Sequence, residues 1–460
     1  MTKPNSLSAP VKRNDDITLT IETLTGEGAG VGRIDGYAVF VVGALPGETV
    51  TAHIIKVTGS YAVARVSDVL TASPMRVTPR CPVFPRCGGC TLQHLSYEGQ
   101  CRAKQQQVAD ALTRLGGFSE LPMRPILGME TPWQYRNKGS FPCGTVGAQA
   151  VFGFYAERSH RLIPFSDCPI QEPKCTEIAN RVLAWANENR ILVYNEETHT
   201  GLLRHVMVRV TTTGEAMAVI VTNGPIKKIS ALLSALGDVE SVWSNENTRD
   251  TNVIFGTRFT LLGGKPALTE EIGGHRFTVS PQSFLQVNAV ETAVLYGCAV
   301  ELLDPKPTET IVDAYCGIGT ISLLLSNRAK RVIGIEQVPE AVADAKQNAI
   351  LNGITNADFL AGDVEVILPT LLKTDMTPDA LVLDPPRKGC DPAAIHSIAD
   401  AGIARVVYVS CNPATLARDC KLFAERGYRI EAVQPVDMFP QTGHVETCVL
   451  ITRDKKGQNS

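Results

Sequence analysis

Cys411 stands in Ser410-Cys-Asn-Pro413, directly after an apolar run that reads as a β-strand. A helix opening near Pro413 would aim its N-terminus back at the thiol, lowering its pKa and favouring the thiolate that attacks carbon. A buried packing cysteine is the alternative at such a position. Glu446, in Gly443-His-Val-Glu446 ahead of the last apolar strand, is the candidate general base, although an isolated glutamate there could equally be a solvated surface residue. A thiol and a base together equip a site for covalent catalysis at an electron-poor double bond. Uracil is one such target: its C5 is a poor nucleophile until a thiolate adds at C6. The C5 proton must then be removed before the thiol can leave.

A second constellation marks a nucleoside site. Thr310-Ile-Val-Asp313 reads as a strand running into Tyr315-Cys-Gly-Ile-Gly319 and then an apolar helix. Gly317 and Gly319 let backbone approach a ligand closely. Glu336 ends the next strand ~20 residues on, where a carboxylate accepts hydrogen bonds from ribose hydroxyls. The third glycine of the dinucleotide fingerprint is missing, which favours S-adenosylmethionine over NAD. Asp363, in Ala361-Gly-Asp363, is placed to meet an adenine edge or simply to form a turn. Asp384-Pro-Pro-Arg387 puts an acid at a strand end that two prolines prevent from continuing, giving a rigid polar wall.

A third constellation is metal-like. Cys81, Cys87 and Cys90 can wrap three thiolates around one centre, with Cys168 in Asp167-Cys-Pro169 the best fourth ligand. Zinc ordinarily uses two close pairs, whereas three clustered thiolates and a distant one suit an iron–sulfur cluster. Spacing leaves both open. The other cysteines have no partner pattern and are expected to pack.

These residues need elements to hold them. Ile17 to Val69 is short and β-like with glycine turns, about five strands, the size of an OB-like β-barrel of the sort that binds oligonucleotides or serves only structure. A helix is predicted from Tyr97 to Leu115, ended by Gly116-Gly117. A mixed central α+β region follows, with strands at His205–Val210 and Ala216–Val221 and a helix over Glu177–Glu188. From Thr310 onward strands alternate with helices, the pattern of an α/β, doubly wound (Rossmann-like) sheet that binds ligands at the carboxyl ends of its strands. The division expected is a barrel over 10–70, a central domain over 71–270 and a nucleoside-binding domain over 271–455, with the helix near 97–116 able to pack on the last.

The 460 residues are 44% hydrophobic and 20% charged, which places the chain among ordinary globular proteins of two or three domains. The formal net charge of -3 gives no basic excess, so bulk charge neither supports nor excludes a nucleic-acid partner. Met1 to Asp16 has no apolar core for export, and no stretch is long enough to span a bilayer. A cytoplasmic place is expected, with no membrane partner. Thirteen cysteines in a reducing compartment point to metal binding or catalysis for some of them.

Asp313-Ala-Tyr-Cys-Gly-Ile-Gly319, Asp384-Pro-Pro-Arg-Lys-Gly389, Ser410-Cys-Asn-Pro413 and His444-Val-Glu446 resemble, in order, the motifs of the RNA (uracil-5-)-methyltransferase family. The resemblance covers nearly the whole chain, including a TRAM-type barrel and a cysteine-bearing central domain. It implies S-adenosylmethionine as methyl donor, Cys411 as nucleophile and Glu446 as base. Gln286, Tyr315, Thr320, Glu336, Asp363 and Asp384 are implied around cofactor and target base. Leu285 replaces a usual second Phe beside Gln286, and Ala314 stands where Leu is common; both are conservative changes. The resemblance also implies a 4Fe–4S cluster on Cys81, Cys87, Cys90 and Cys168, and RNA contact at Gln134-Tyr-Arg-Asn-Lys138, where Arg136 and Lys138 could meet phosphate. RNA is the implied partner, ribosomal (23S) in the first instance with transfer RNA left open, and the chain is expected to act as a monomer. Two rivals stand beside this reading. An exocyclic-amine methyltransferase would use the Asp-Pro-Pro-Arg wall but no thiol. A non-catalytic RNA-binding module would need neither Cys411 nor Glu446.

Overall fold

The computed structural model describes residues 9–373 and 378–454. Strands Asp16–Leu24, Ala29–Ile34, Tyr37–Val42, Thr49–Val57 and Tyr61–Thr71 close into a barrel. Alternation along the fourth strand turns Val50, Ala52 and Ile54 inward, and Ala62 and Ala64 of the fifth meet them. Small and branched residues suit so narrow an interior.

The central region is a seven-stranded sheet in the order Arg258–Gly264, Ser241–Glu246, Ala216–Thr222, Leu203–Val210, Lys138–Val146, Gln149–Tyr155 and Leu162–Pro164. Its neighbours run antiparallel except for one parallel pair, Ala216–Thr222 with Ser241–Glu246. The helix Pro173–Glu188 covers one face, burying Ile178, Val182 and Trp185 against Val206 and Val208.

The C-terminal sheet also has seven strands, ordered Ala357–Ala361, Arg331–Glu336, Thr310–Ala314, Ala380–Leu383, Arg405–Ser410, Glu446–Arg453 and Tyr428–Val436. The first five are parallel, Glu446–Arg453 runs antiparallel to them, and Tyr428–Val436 pairs antiparallel with Glu446–Arg453. Strand order reverses beside Thr310–Ala314, so a crevice opens there at the carboxyl edge. The architecture is the mixed α/β one the sequence implies: a barrel, a central α+β region and a doubly wound sheet.

The helix Tyr97–Arg114 carries a stripe at every fourth residue, Gln100, Lys104, Val108 and Leu112, all buried. Val108 and Leu112 join the core beneath the C-terminal sheet with Leu416, Phe423 and Val433, each contributing about 1.5–3 kcal/mol of burial. The chain then runs on to seal the open edge of that sheet. Val433 donates its N–H to Pro122 (3.0 Å), Arg124 donates to Val433 (2.9 Å) and Leu127 to Pro435 (3.0 Å). An edge strand left bare would invite pairing with another chain. Among the described residues no helix is long and apolar enough to cross a membrane.

Candidate active site

Gln286, Tyr315, Gly317, Thr320, Glu336, Asp363, Asp384, Cys411 and Glu446 all line one cleft of about 2180 Å³. Ordinary small-molecule pockets reach roughly 1,000 Å³, so this one has room for a nucleoside cofactor and part of a larger substrate. Its far wall comes from the barrel turn (Gly26, Glu27), the cysteine loop (Gly88, Gly89, Thr91) and Arg136.

The cofactor side hangs from three adjacent parallel strand ends. Gly317 and Gly319 take positive φ values of 54° and 86°. A Cβ at Gly317 would meet nothing within 4 Å, so the turn presents bare backbone to the cleft. Glu336 accepts the Gly317 N–H (3.1 Å) and the Val338 N–H (2.9 Å), which fixes its carboxylate while leaving lone pairs for a ligand. Asp363 caps the helix Val364–Leu371 by accepting from Glu365 N–H (3.1 Å). Tyr315, itself at φ 67°, donates its hydroxyl to Glu365 (3.0 Å). Asp313 lies fully buried beneath the turn, accepting from the Ser322 hydroxyl at 2.5 Å. An exposed glycine turn, an anchored strand-end acid and a capping aspartate fit a nucleoside carrying ribose hydroxyls and an adenine.

The reacting side is assembled from two strands distant in sequence. Ser410 pairs with Thr447 in the antiparallel ladder, so continuing the register by one residue sets Cys411 beside Glu446. Side chains at such positions lie about 5 Å apart at Cβ. Asp384 follows the neighbouring strand on the other side and donates its N–H to Ala314 (3.3 Å). The Asp384–Arg387 wall is tied to the cysteine turn, because the Arg387 carbonyl accepts from Asn412 Nδ2 and from the Thr415 hydroxyl, both at 3.3 Å. Asp419 anchors the loop beyond: buried in the helix Pro413–Ala424, it accepts from Cys390 N–H (2.9 Å) and the Tyr408 hydroxyl (2.6 Å).

Burial dominates the electrostatics. It pushes Glu446 up to about 8, with Asp384 adding to the rise and Arg387 opposing it. Asp384 is pushed up to about 7 by burial and then by Asp313. The expectation for Cys411 needs correcting: its pKa is raised, not lowered. Burial is the main cause, the Glu446 and Asp384 carboxyls add to it, and Arg387 is the side chain that opposes it. The helix N-terminus offers less than expected because Asn412 occupies it, accepting the Ala414 N–H at 3.0 Å. Arg387, which the sequence reading named only as part of a wall, thus lines the cleft as a cation close enough to act on Cys411.

Arg136 borders the cleft, but Lys138 sits behind it in the central sheet, paired with Arg209. Burial and the neighbouring Arg209 and Arg136 push Lys138 down to about 8. Cys81, Cys87, Cys90 and Cys168 line a separate small cavity with Phe84, Phe154 and Phe165. No group of three or more His, Cys, Asp or Glu among the described residues stands where a single metal ion could be held. Burial first, with the neighbouring thiols adding to it, raises Cys90 to about 12 and Cys168 to about 11. Gly89 N–H points at Cys87 Sγ (3.4 Å), and backbone N–H groups of Ile170 and Gln171 face Cys168. Four thiols around one apolar cavity, with amides aimed at the sulfurs, fit a sulfur-bridged cluster.

Comparison with known proteins identifies the family and the fold. Residues 272–454 match the family described as tRNA (Uracil-5-)-methyltransferase, and residues 10–67 match the TRAM domain. An RNA methyltransferase of Halalkalibacterium halodurans is 47% identical over 96% of this chain and 98% of its own. One of Bacillus cereus is 46% identical over 98% and 99%. Among solved structures, the Pyrococcus abyssi tRNA (uracil-54, C5)-methyltransferase in complex with S-adenosyl-L-homocysteine superposes with a TM-score of 0.77 at 26% identity, covering 95% of this chain and 100% of that one.

Proposed function

From the premise that this chain belongs to the RNA (uracil-5-)-methyltransferase family, S-adenosylmethionine-dependent enzymes here joined to a TRAM domain, we propose that it forms 5-methyluridine by covalent catalysis through Cys411 and Glu446. The observation that carries this reading is the meeting of Cys411 and Glu446 at the ends of neighbouring antiparallel strands, in the cleft that also holds the glycine turn.

S-adenosylmethionine supplies an electrophilic methyl group on its sulfonium, and Tyr315, Gly317, Thr320, Glu336 and Asp363 are the residues to hold it, with Gln286 and Asp384 toward the target base. The Cys411 thiolate adds to uracil C6, and the π electrons move onto the C4 carbonyl oxygen as an enolate. C5 of that enolate then takes the methyl group as the carbon–sulfur bond of the sulfonium breaks, the C4 carbonyl re-forms and S-adenosylhomocysteine leaves. Glu446 carboxylate removes the C5 proton, the C5–C6 double bond re-forms and the thiolate is expelled. A pKa near 8 makes Glu446 a stronger proton acceptor than an ordinary carboxylate. Arg387 stabilises both anions. Extrusion of the uridine from its stack is required to expose C6, and Arg136 is placed to hold backbone phosphate.

Cys81, Cys87, Cys90 and Cys168 would hold a 4Fe–4S cluster whose part is to fix the central region; the gathering of the four thiols around one cavity supports the ligand set. Iron and acid-labile sulfide on anaerobically purified protein, lost together in Cys87→Ser, test that assignment. The fold and the absence of a crossing helix among the described residues are compatible with action in the cytoplasm. An exocyclic-amine methyltransferase would have no use for a thiol beside a buried acid.

Ribosomal RNA is the substrate proposed. Transfer RNA is the second reading, favoured by the substrate in the name of the Pyrococcus abyssi enzyme. The deciding experiment is a digest of ribosomal and transfer RNA from cells lacking the gene, scored by mass spectrometry for 5-methyluridine. Loss of the mark at defined sites names the reaction and the RNA together; persistence of every mark, once a redundant enzyme is excluded, overturns the uracil assignment.

A further inference from the structure

The loop Asp437–Val445, which delivers Glu446 to the cleft, makes a few bonds of its own around Thr442 but is held chiefly by the rest of the molecule. Hairpin connections of about 2–5 residues set their own geometry; this one is longer, and Glu446 sits at the last rung of its ladder, opposite Val436. Four consecutive carbonyls of the loop accept from donors outside it. Met438 O takes Asn288 Nδ2 (2.9 Å), and Phe439 O takes the Lys104 ammonium (3.0 Å). Pro440 O takes the Tyr135 hydroxyl (2.9 Å), and Gln441 O takes the N–H groups of Thr91 (3.1 Å) and Leu92 (3.0 Å). Such a run of captured carbonyls fixes the path of the backbone, not merely its burial.

Gln441 is the centre of this arrangement. It adopts the left-handed conformation at φ 70°, which is uncommon for a glutamine. Its side chain and that of Gln100, both buried, interlock: Gln441 N–H donates to Gln100 Oε1 (2.8 Å), and Gln100 Nε2 donates to Gln441 Oε1 (3.0 Å). Two residues on, Gly443 donates its N–H to the Thr91 hydroxyl (3.1 Å). A Cβ on Gly443 would lie 1.8 Å from the Gly26 carbonyl oxygen, so the barrel turn closes directly on the loop.

We propose that Gln441, locked by Gln100 and Thr91, is a positioning residue for Glu446, so that the N-terminal half of the chain sets the geometry of proton removal and not that of methyl transfer. This rests on the role of Glu446 argued above. The cofactor residues lie at the ends of other strands and share none of these bonds, so the clamp acts on one step.

The test is Gln441→Gly, which keeps the left-handed backbone and deletes the amide, beside Gln441→Asn, which keeps an amide on a residue that tolerates the conformation. For Gln441→Gly, kcat is expected to fall about 100-fold, the scale of a misplacement near 1 Å. RNA KM and S-adenosylhomocysteine affinity should be unchanged, and a denaturant-resistant, already methylated protein–RNA adduct should accumulate. Gln441→Asn should lie between this and the unaltered enzyme, and it carries the test if the glycine variant fails to fold. Unchanged turnover, or a fall in kcat with no adduct, overturns the proposal, as does a parallel loss of S-adenosylhomocysteine affinity. Glu446→Gln separates the two ideas. If it traps adduct and the Gln441 variants do not, only the clamp falls; if it traps none, the base assignment itself falls.

Discussion

The half of the cleft proposed to hold the cofactor and the half proposed to supply the base differ in where their support comes from. Tyr315, Gly317, Glu336 and Asp363 hang from three strands that are consecutive in the chain and adjacent in the sheet, and they brace one another through Gly317–Glu336 and Tyr315–Glu365. The loop leading to Glu446 is braced by Thr91, Leu92, Gln100, Lys104, Tyr135 and Asn288, residues drawn from the cysteine loop, the helix Tyr97–Arg114, the central region and the N-terminus of the helix Ala289–Leu303. A site built from one supersecondary unit carries its own geometry. A site assembled across the chain inherits the integrity of every part that touches it, so substitutions far from the reacting atoms should disturb the base and spare the cofactor.

The largest effect separates chemistry from binding. Cys411→Ala should abolish transfer of labelled methyl groups into RNA, a loss of roughly 10⁴-fold or more, while calorimetry finds S-adenosylhomocysteine bound as before; retained turnover would end the covalent mechanism. Next is the buried ion pair between Lys104 and Asp437, 2.5 Å apart with side chains 1% and 0% exposed. Lys104→Met leaves Asp437 buried without its partner and should cost about 3–5 kcal/mol in denaturant unfolding. Lys104→Met combined with Asp437→Leu should recover most of it. Any Lys104→Met protein that remains folded is expected to bind S-adenosylhomocysteine normally and to resolve adduct slowly; equal damage to both halves would break the contrast.

Glu336→Gln attacks the other half. Losing a charge-assisted hydrogen bond is worth about 1.5–3 kcal/mol, which is roughly a 10- to 100-fold weaker S-adenosylhomocysteine Kd with no adduct build-up. The smallest effect is in pH. Glu446 must be a carboxylate to take the C5 proton, so adduct resolution should quicken as pH rises and level off above about 8. Asp384→Asn removes one cause of that elevation and should move the inflection downward. Stability runs the other way. Folded Glu446 and Asp384 keep protons up to about 8 and 7, whereas the unfolded chain releases them near 4.5 and 3.8. Their contribution is therefore present at low pH and is lost as pH rises through that window. A cofactor half with the same pH response as the base half would remove the distinction.

The residues that line the two halves of the cleft were legible in the sequence because each belongs to a local pattern. A glycine turn between strand and helix, an acid at the next strand end and a cysteine directly after a strand need only the periodicity around them to be placed. The barrel was legible for the same reason, through short alternating runs and glycine turns. The polar stripe of the helix Tyr97–Arg114 was a signal that went unread: Gln100 and Lys104 continue the spacing of Val108 and Leu112, and polar side chains on a buried face must find partners. Nothing in the sequence says that those partners are Gln441 and Asp437.

The sequence by itself determined the strand order's ingredients, the residue types at the site and the family they resemble, because propensity, turns and motif spacing act over a few residues. Only the tertiary structure decided that Cys411 and Glu446 stand side by side, that burial and two carboxyls raise the thiol's pKa instead of a helix end lowering it, and that the base loop is gripped from the far end of the chain. Register between strands, desolvation and long-range hydrogen bonds depend on which surfaces meet, and that is fixed only when the whole chain packs.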